Sequence, residues 1–501
     1  MAVNERATAR TYGNWRRPGS AGLGQLGLIG TGVLLVGLLC IVLTTMFAGL
    51  FAAAGVGAIV GAALLLLLVR DHHHRNGLQR IGARIGFRGA RLRGHPVYRG
   101  GPLSPRGLGR FQLPGLAASS ELYEGQDAHG RPFALVHLPR TGQVSVVFGA
   151  EPDGASLVDS DQQDAWVAHW GQWLARLSGE PGLVAASVTV ETAPDSGSRL
   201  RREVLTNLDP SAPLAARAML AEVVDTYPVG SASIQAWVGL TFSTATRSGG
   251  RRRSIEEVAR DLASRLPALG QGLAAAGAGA ARPVSAQELC ELVRCAYDPD
   301  AAAVIEEARE LGEVLDLTWA DVGPAAAQAN WGSYRHDNAV SVTWSMSQPP
   351  RGEVFSSVLS GLLAPHPDVD RKRVSLLYRV LDPGTAARIV EVDKRNALFR
   401  ATSSQRPSAR SLTEVAAAEA TAREEATGAG LVNFAMLVTA TVADPAGLAD
   451  ARAAVDALSA GARVQLRPVY GSQDSAFAAC LPLGLVLSSH LRVPAELREA
   501  L

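Results

Sequence analysis

From residue 18 to residue 69 of this 501-residue chain no Asp, Glu, Lys, Arg or His interrupts a run rich in Leu, Val, Ala and Gly. At about 1.5 Å of rise per residue, roughly 20 residues cross a hydrocarbon core about 30 Å thick, so the run holds two helices. They are placed at Leu26 to Phe47 and Leu50 to Val69. The connection at Ala48 and Gly49 is so short that the pair predicts a transmembrane helical hairpin whose two ends emerge on the same side of the bilayer.

From about Glu121 the hydrophobic period shortens and lengthens in alternation. A β-hairpin is expected first, Leu122 to Tyr123 turning back through Phe133 to Leu138 around Asp127-Ala-His129-Gly130. Then Val144 to Phe148 reads as a strand, Gln162 to Leu177 as a helix, Val184 to Glu191 as a strand, Pro213 to Thr226 as a helix, Ser233 to Ser243 as a strand and Ile255 to Leu273 as a helix. The order returns with Val340 to Met346 (strand), Val354 to Leu363 (helix), Arg373 to Leu381 (strand), Ala386 to Arg395 and Leu412 to Glu425 (helices), Leu431 to Val442 (strand) and Leu448 to Ser459 (helix). Each series ends on an Arg-Pro-Val, Arg282 to Val284 and Arg467 to Val469, leading into a helix at Gln287 or Gln473.

Corresponding elements are offset by roughly 185 to 200 residues, so two similar α/β units are expected within a cytoplasmic α+β region. The expected division is a cytoplasmic tail (1–25), the helical hairpin (26–69), a basic juxtamembrane segment (70–110), a first α+β unit (111–317), a linker (318–330, with Gly323-Pro324 and an Ala run) and a second unit (331–501).

Charge decides orientation. The chain carries 48 Lys and Arg against 47 Asp and Glu, but residues 1–110 hold fourteen arginines with only Glu5 and Asp71, and residues 111–501 hold 34 bases against 45 acids. Arg6, Arg10, Arg16 and Arg17 precede the apolar run, Arg70, Arg75, Arg80, Arg84, Arg88, Arg91 and Arg93 follow it, and its middle is uncharged. The positive-inside rule then puts both termini in the cytoplasm, as for a multi-pass protein of the inner cell membrane. The seven arginines after the run form the polybasic pattern that attracts anionic headgroups. Nucleic acid is a further possible partner of this segment, although it lacks interleaved aromatics.

Candidate chemistry adds little. Gly22-Leu-Gly24-Gln-Leu-Gly27 has dinucleotide-site spacing but opens an apolar helix and lies in no βαβ unit. The only lysines, Lys372 and Lys394, belong to no phosphate-binding loop, and no GxSxG, HExxH, zinc or kinase pattern occurs. Cys40, Cys290, Cys295 and Cys480 are too scattered for a disulfide framework and read as small buried thiols in a reducing compartment. His72 to His74 read as solvated interfacial side chains, and His336-Asp337, which on a strand would point to opposite faces and so could not work as a base with its orienter, reads as a loop or surface pair. No catalytic residue, cofactor or metal is assigned. Trp166, Trp170 and Trp173 share one helix face with Leu174 and Leu177, a stripe read as core, with an aromatic docking face as its alternative.

The run Arg10-Thr-Tyr12-Gly13-Asn14-Trp15-Arg16-Arg17-Pro18, directly before the apolar stretch, resembles an actinobacterial family of membrane proteins encoded beside conjugation-type (type IV) secretion components. Gly428 to Val442 with the helix after it, and Gln473-Asp-Ser-Ala-Phe477 running into Leu481-Pro-Leu-Gly484, are similar to the end of the region that precedes the motor domain of conjugation ATPases. In architecture, two spans and a cytoplasmic α+β region also resemble the E-type core subunit of type VII secretion complexes. These resemblances imply a non-enzymatic scaffold that docks beside a separate secretion ATPase and other membrane subunits in an oligomeric assembly. The alternatives are a membrane-anchored enzyme with a non-contiguous site and a membrane-tethered regulator.

Overall fold

The computed structural model describes residues 10–13, 15, 27–69, 71, 75–101, 104, 112–152, 154, 158–195, 197–226, 232–246, 251–350, 352–403 and 408–491. They form two compact units, one of residues 10–13 and 96–486, the other of residues 15–95 and 487–491.

In the smaller unit, α1 (Gly27–Leu68) is one long apolar helical element broken at Gly49, where φ is 81° and ψ is 175°. A side chain disfavours that backbone conformation, which explains glycine at this point. A Cβ added at Gly37 would lie 2.5 Å from Val60 Cγ1, and one at Gly57 would lie 3.8 Å from Ile41 Cδ1. A straight helix would hold Gly37 and Val60 about 34 Å apart. The two arms therefore fold back at Gly49 and touch, so the two expected helices are one kinked element with its break at the expected connection. The segment after it, expected only as a basic stretch, forms a second helix, α2 (Gly77–Leu92).

The larger unit is built on one antiparallel sheet. Its strand β1 (Val97–Arg99) precedes a first series: β2 (Glu121–Gln126), β3 (Pro132–Leu138), β4 (Gln143–Ala150), α3 (Ser160–Leu177), β5 (Leu183–Pro194), α4 (Ser198–Asn207), α5 (Leu214–Thr226), β6 (Ala232–Ser243), α6 (Ile255–Leu273), β7 (Arg282–Pro283) and α7 (Ala286–Tyr297). After α8 (Ala301–Glu310) comes a second: β8 (Ala326–Ala329), β9 (Tyr334–His336), β10 (Ala339–Gln348), α9 (Ser360–Leu363), β11 (Arg371–Val380), α10 (Pro383–Thr402), α11 (Ala409–Ala426), β12 (Val432–Val442), α12 (Leu448–Gly461), β13 (Gln465–Pro468) and α13 (Gln473–Ala479).

The strand order is β1-β8-β9-β10-β12-β11-β5-β6-β4-β3-β2, with β13 on β10 and β7 on β4. Read outward from the β5–β11 seam, the two sides carry the same sequence of elements: β6 and β12, then β4 and β10 with their short partners β7 and β13, then β3 and β9, then β2 and β8. Thr189 lies opposite Ser375 at the seam.

This arrangement alters three expectations. The two similar halves share a single sheet, and its antiparallel pairing makes them α+β. The stretch Thr318–Asn330, read as a linker, carries β8, which pairs with both β1 and β9. The helix expected over Val354 to Leu363 is reduced to a 3-10 turn (Ser356–Leu359) and the single turn of α9. Val354 is instead engaged by backbone hydrogen bonds to Tyr12, and three serines with Gly361 in the following residues favour turn over helix.

Both faces of the sheet carry packed side chains. On one face Phe133, Val144, Val146 and Leu240 meet α3 and α6, and further along Val342, Trp344 and Val438 meet α12. On the other face Ala134, Val136 and Val147 pack with α7, α13 and the segment Leu481–Leu485, in a core that joins the two halves.

Near the seam this second face is a row of hydroxyls. Thr189 and Ser375 are hydrogen-bonded at 2.9 Å, Thr343 and Thr439 at 2.8 Å, and Ser341 and Thr441 at 2.7 Å. Ser145 donates to the Leu483 carbonyl (2.7 Å), Thr241 to that of Gly484 (3.0 Å) and Ser375 to that of Cys480 (2.8 Å). The Leu-Pro-Leu-Gly motif is thus a buried strap tying both halves together. Gly484 has φ of 68°, and a Cβ there would stand 2.4 Å from Ser145 Cβ, so the strap lies this close only because its last residue has no side chain.

Candidate membrane anchor and basic helix

α1 is long and apolar enough to cross a membrane over Gly30–Leu68. Its side chains face outward, with Phe51 96% exposed, Phe47 85% and Met46 75%, which is costly for a soluble helix and expected of one solvated by lipid. The small residues at the contact between the arms let the backbones approach, as in membrane helix pairs.

Basic residues follow at once. Asp71 holds the turn into α2, accepting the Arg75 backbone N–H at 3.1 Å and lying 3.9 Å from Arg80 Nε. Asn76 and Gln79 form a capping box at the helix start. At 100° per residue, Leu78, Ile81, Ile85 and Leu92 fall within about 60° of one another, while Arg80, Arg84, Arg88 and Arg91 fall within about 80° on the adjoining flank. All eight side chains are exposed, Ile85 at 64% and Leu92 at 89%. Arg93, just past the helix, is also exposed and donates to the Gly89 carbonyl at 3.0 Å. Arg70 and His72 to His74 lie outside the described residues. The structure thus places Arg80, Arg84, Arg88 and Arg91 along one helix flank and adds four apolar neighbours that reading for charge had overlooked. Their 3.6-residue period was present but was read only as basic.

A second site missed in the sequence is the N-terminal motif itself. Tyr12 and Val354 exchange backbone hydrogen bonds of 2.8 and 2.9 Å, the Tyr12 hydroxyl donates to Asp164 Oδ1 at 2.9 Å, and Thr11 Oγ1 donates to Glu353 at 2.7 Å. A Cβ at Gly13 would sit 3.2 Å from the Gly352 carbonyl. Residues 11–13 are therefore a strap docked within the larger unit.

The tryptophan stripe faces the interior. Trp173 is buried and donates to the Leu269 carbonyl at 3.0 Å, Trp170 stacks on it with centroids 4.8 Å apart and meets Tyr378 edge-on, and Trp166 packs against Gly277.

Several titratable groups of the larger unit are buried. At the seam Glu191 accepts from Arg371 and Arg373, each at 2.6 Å. Burial pushes the Glu191 carboxyl up, but the two guanidiniums outweigh it and hold the group below the usual glutamate range. His336 is fully buried on β9. Its Nδ1 donates to the Tyr297 carbonyl at 2.5 Å, which leaves Nε2 to accept the Ser341 hydroxyl at 2.7 Å. Burial, with Arg373 nearby, drives this imidazole down to about 4 although the carbonyl contact opposes the shift. Asp337 turns away at φ 43° to accept the Ala325 and Ala326 backbone N–H groups. Burial raises the Cys290 thiol to about 12 and the Cys295 thiol to about 11, which makes both poor nucleophiles, whereas Cys40, expected buried, is exposed on α1. Among the described residues no group of three or more His, Cys, Asp or Glu side chains is placed to hold a metal ion.

Residues 19–79, the apolar element and the start of α2, are similar to a family described as a domain of unknown function, DUF8461. Among curated proteins none matches the chain.

Proposed function

We propose that this protein is a membrane-anchored, non-enzymatic docking component whose α1 crosses the bilayer twice and holds the large sheet at the cytoplasmic surface. The observation that carries the reading is the strap at Thr11–Gly13. It belongs to the same folded unit as the chain beyond Pro96, so the stretch between them leaves that unit and returns to it. Such a stretch crosses a membrane an even number of times, and the touching arms of α1 supply two crossings. Arginines on both sides of the apolar run and none at Gly49 favour a cytoplasmic sheet. The resemblance of the N-terminal motif and of the strap ending at Gly484 supports a place beside a separate secretion ATPase of the conjugation type.

Topology mapping tests this. A short protease-sensitive tag inserted between Ala48 and Gly49 is expected to be cut only from outside intact cells or right-side-out vesicles. A tag in the exposed turn at Gly130 should be cut only from the cytoplasmic side. Cleavage of both tags from one side would overturn the two-span reading.

A further inference from the structure

A shallow groove of about 360 Å³ lies beside α8, lined by Ala301, Val304, Ile305, Leu315 and Leu317, with Arg294, Asp298 and Asp300 at its polar end. Exposed apolar side chains accompany it along the same stretch of chain. Val304 is 58% exposed, Leu311 68% and Val314 78%, three large side chains within eleven residues that a soluble surface would ordinarily cover.

The surroundings are acidic. Residues 298–321 hold eight Asp and Glu and a single base, Arg309, which is itself paired with Glu291. Asp300, Glu307, Glu313 and Asp316 are all exposed. At the polar end Asp298 Oδ2 takes Arg294 at 2.5 Å, while Oδ1 has no hydrogen-bond partner. An apolar trough on a stretch of chain with an excess of carboxylates defines its occupant by complementarity: a helix with an apolar ridge at i, i+3, i+4 and i+7 and basic flanks. Lipid headgroups of the anionic kind would be repelled here.

We infer that the α8 groove, lined by Val304, Ile305, Leu315 and Leu317, together with the exposed Glu307, Leu311, Glu313, Val314 and Asp316 carried by the same stretch of chain, is a docking site for a basic amphipathic helix of a partner protein. This rests on the docking role proposed above and names the chemistry of one partner.

The test uses the full chain in discs of zwitterionic lipid and, as probe, a synthetic fluorescent peptide with leucines at helical spacing and arginines on both flanks. Binding is expected, and it should weaken with added salt. Glu313→Lys with Asp316→Lys, and separately Leu311→Ser with Val314→Ser, should each weaken it by about tenfold or more. All four side chains are exposed, so neither pair disturbs the core. Glu222→Lys, on exposed α5, should leave it unchanged. The inference is overturned if the peptide does not bind, if empty discs bind it equally, if replacing its arginines by glutamate has no effect, or if neither variant pair alters the affinity. The groove and the tags in α1 and at Gly130 are read separately, so failure of the docking inference would leave the two-span mapping standing, and the reverse.

Discussion

His336 shows what a single buried residue contributes and when it stops contributing. Neutral in the fold, it satisfies the Tyr297 carbonyl and the Ser341 hydroxyl, and its value near 4 lies below the ordinary 6.5. Unfolding frees the ring to take a proton at its ordinary value, so the stabilisation is complete above pH 6.5 and is lost as pH falls from 6.5 towards 4. The loss amounts to about 3 kcal/mol. Glu191 is also depressed, but as a carboxylate its contribution disappears below its ordinary value of 4.5, a lower window. Thermal unfolding recorded between pH 7 and pH 4.5 is therefore expected to report mainly on His336, and His336→Gln should flatten the curve there. An unchanged slope in the variant would show that another group titrates. From the sequence His336-Asp337 reads as a loop or surface pair, whereas His336 lies on strand β9 and is fully buried. The partners of His336 were not legible there, because Tyr297 and Ser341 reach it from a helix end and a neighbouring strand.

At the scale of elements, α1 and α2 contrast. The charge-free run and its break near Gly49 could be read directly, because the transfer cost of charge leaves a plain record in composition. In α2 the arginines were conspicuous and the helix was not, since Gly82, Gly86 and Gly89 dilute its propensity and four apolar residues spread over fifteen positions look incidental. Folded, they form one exposed ridge beside one basic flank, the pattern of a helix lying in the plane of a bilayer surface. Each arginine near an anionic surface adds about 1 kcal/mol of attraction. A spin label at Ile85→Cys, in a background without other cysteines, should be reached by dissolved oxygen and shielded from aqueous nickel reagents in vesicles containing anionic lipid; a label at Arg84→Cys should show the reverse. Arg88→Glu with Arg91→Glu should return the Ile85 label to water. Equal aqueous access at both positions in every lipid mixture would exclude the in-plane arrangement.

For the whole molecule, the repetition of elements was visible in the sequence while the way the halves join was not. Sequence pattern reports which face of a strand is apolar, and it is nearly silent on which strand lies beside which. The seam makes this concrete. β5 and β11 each offered apolar residues on one side and Thr189, Glu191, Arg373 or Ser375 on the other, a mixture that reads as half-exposed. Those polar groups are in fact buried, with Phe477 of α13 against Arg373, and are bonded across the seam to one another and, through Ser375, to the Cys480 carbonyl just before the strap. Arg373 Nη1 has no hydrogen-bond partner even so, so Glu191 is the principal compensation for two cations. Glu191→Gln should then destabilise the larger unit by about 3 to 5 kcal/mol, the usual cost of leaving a buried charge unpaired. Glu191→Leu combined with Arg373→Met removes both sides of the more deeply buried pair and should recover at least half of that loss. Denaturant midpoints of the three proteins in the same detergent decide the matter. If the single variant unfolds with the native protein, the halves are held by apolar burial and the hydroxyl row alone. If the double variant is worse than the single, the ion pair is a net source of stability at the seam.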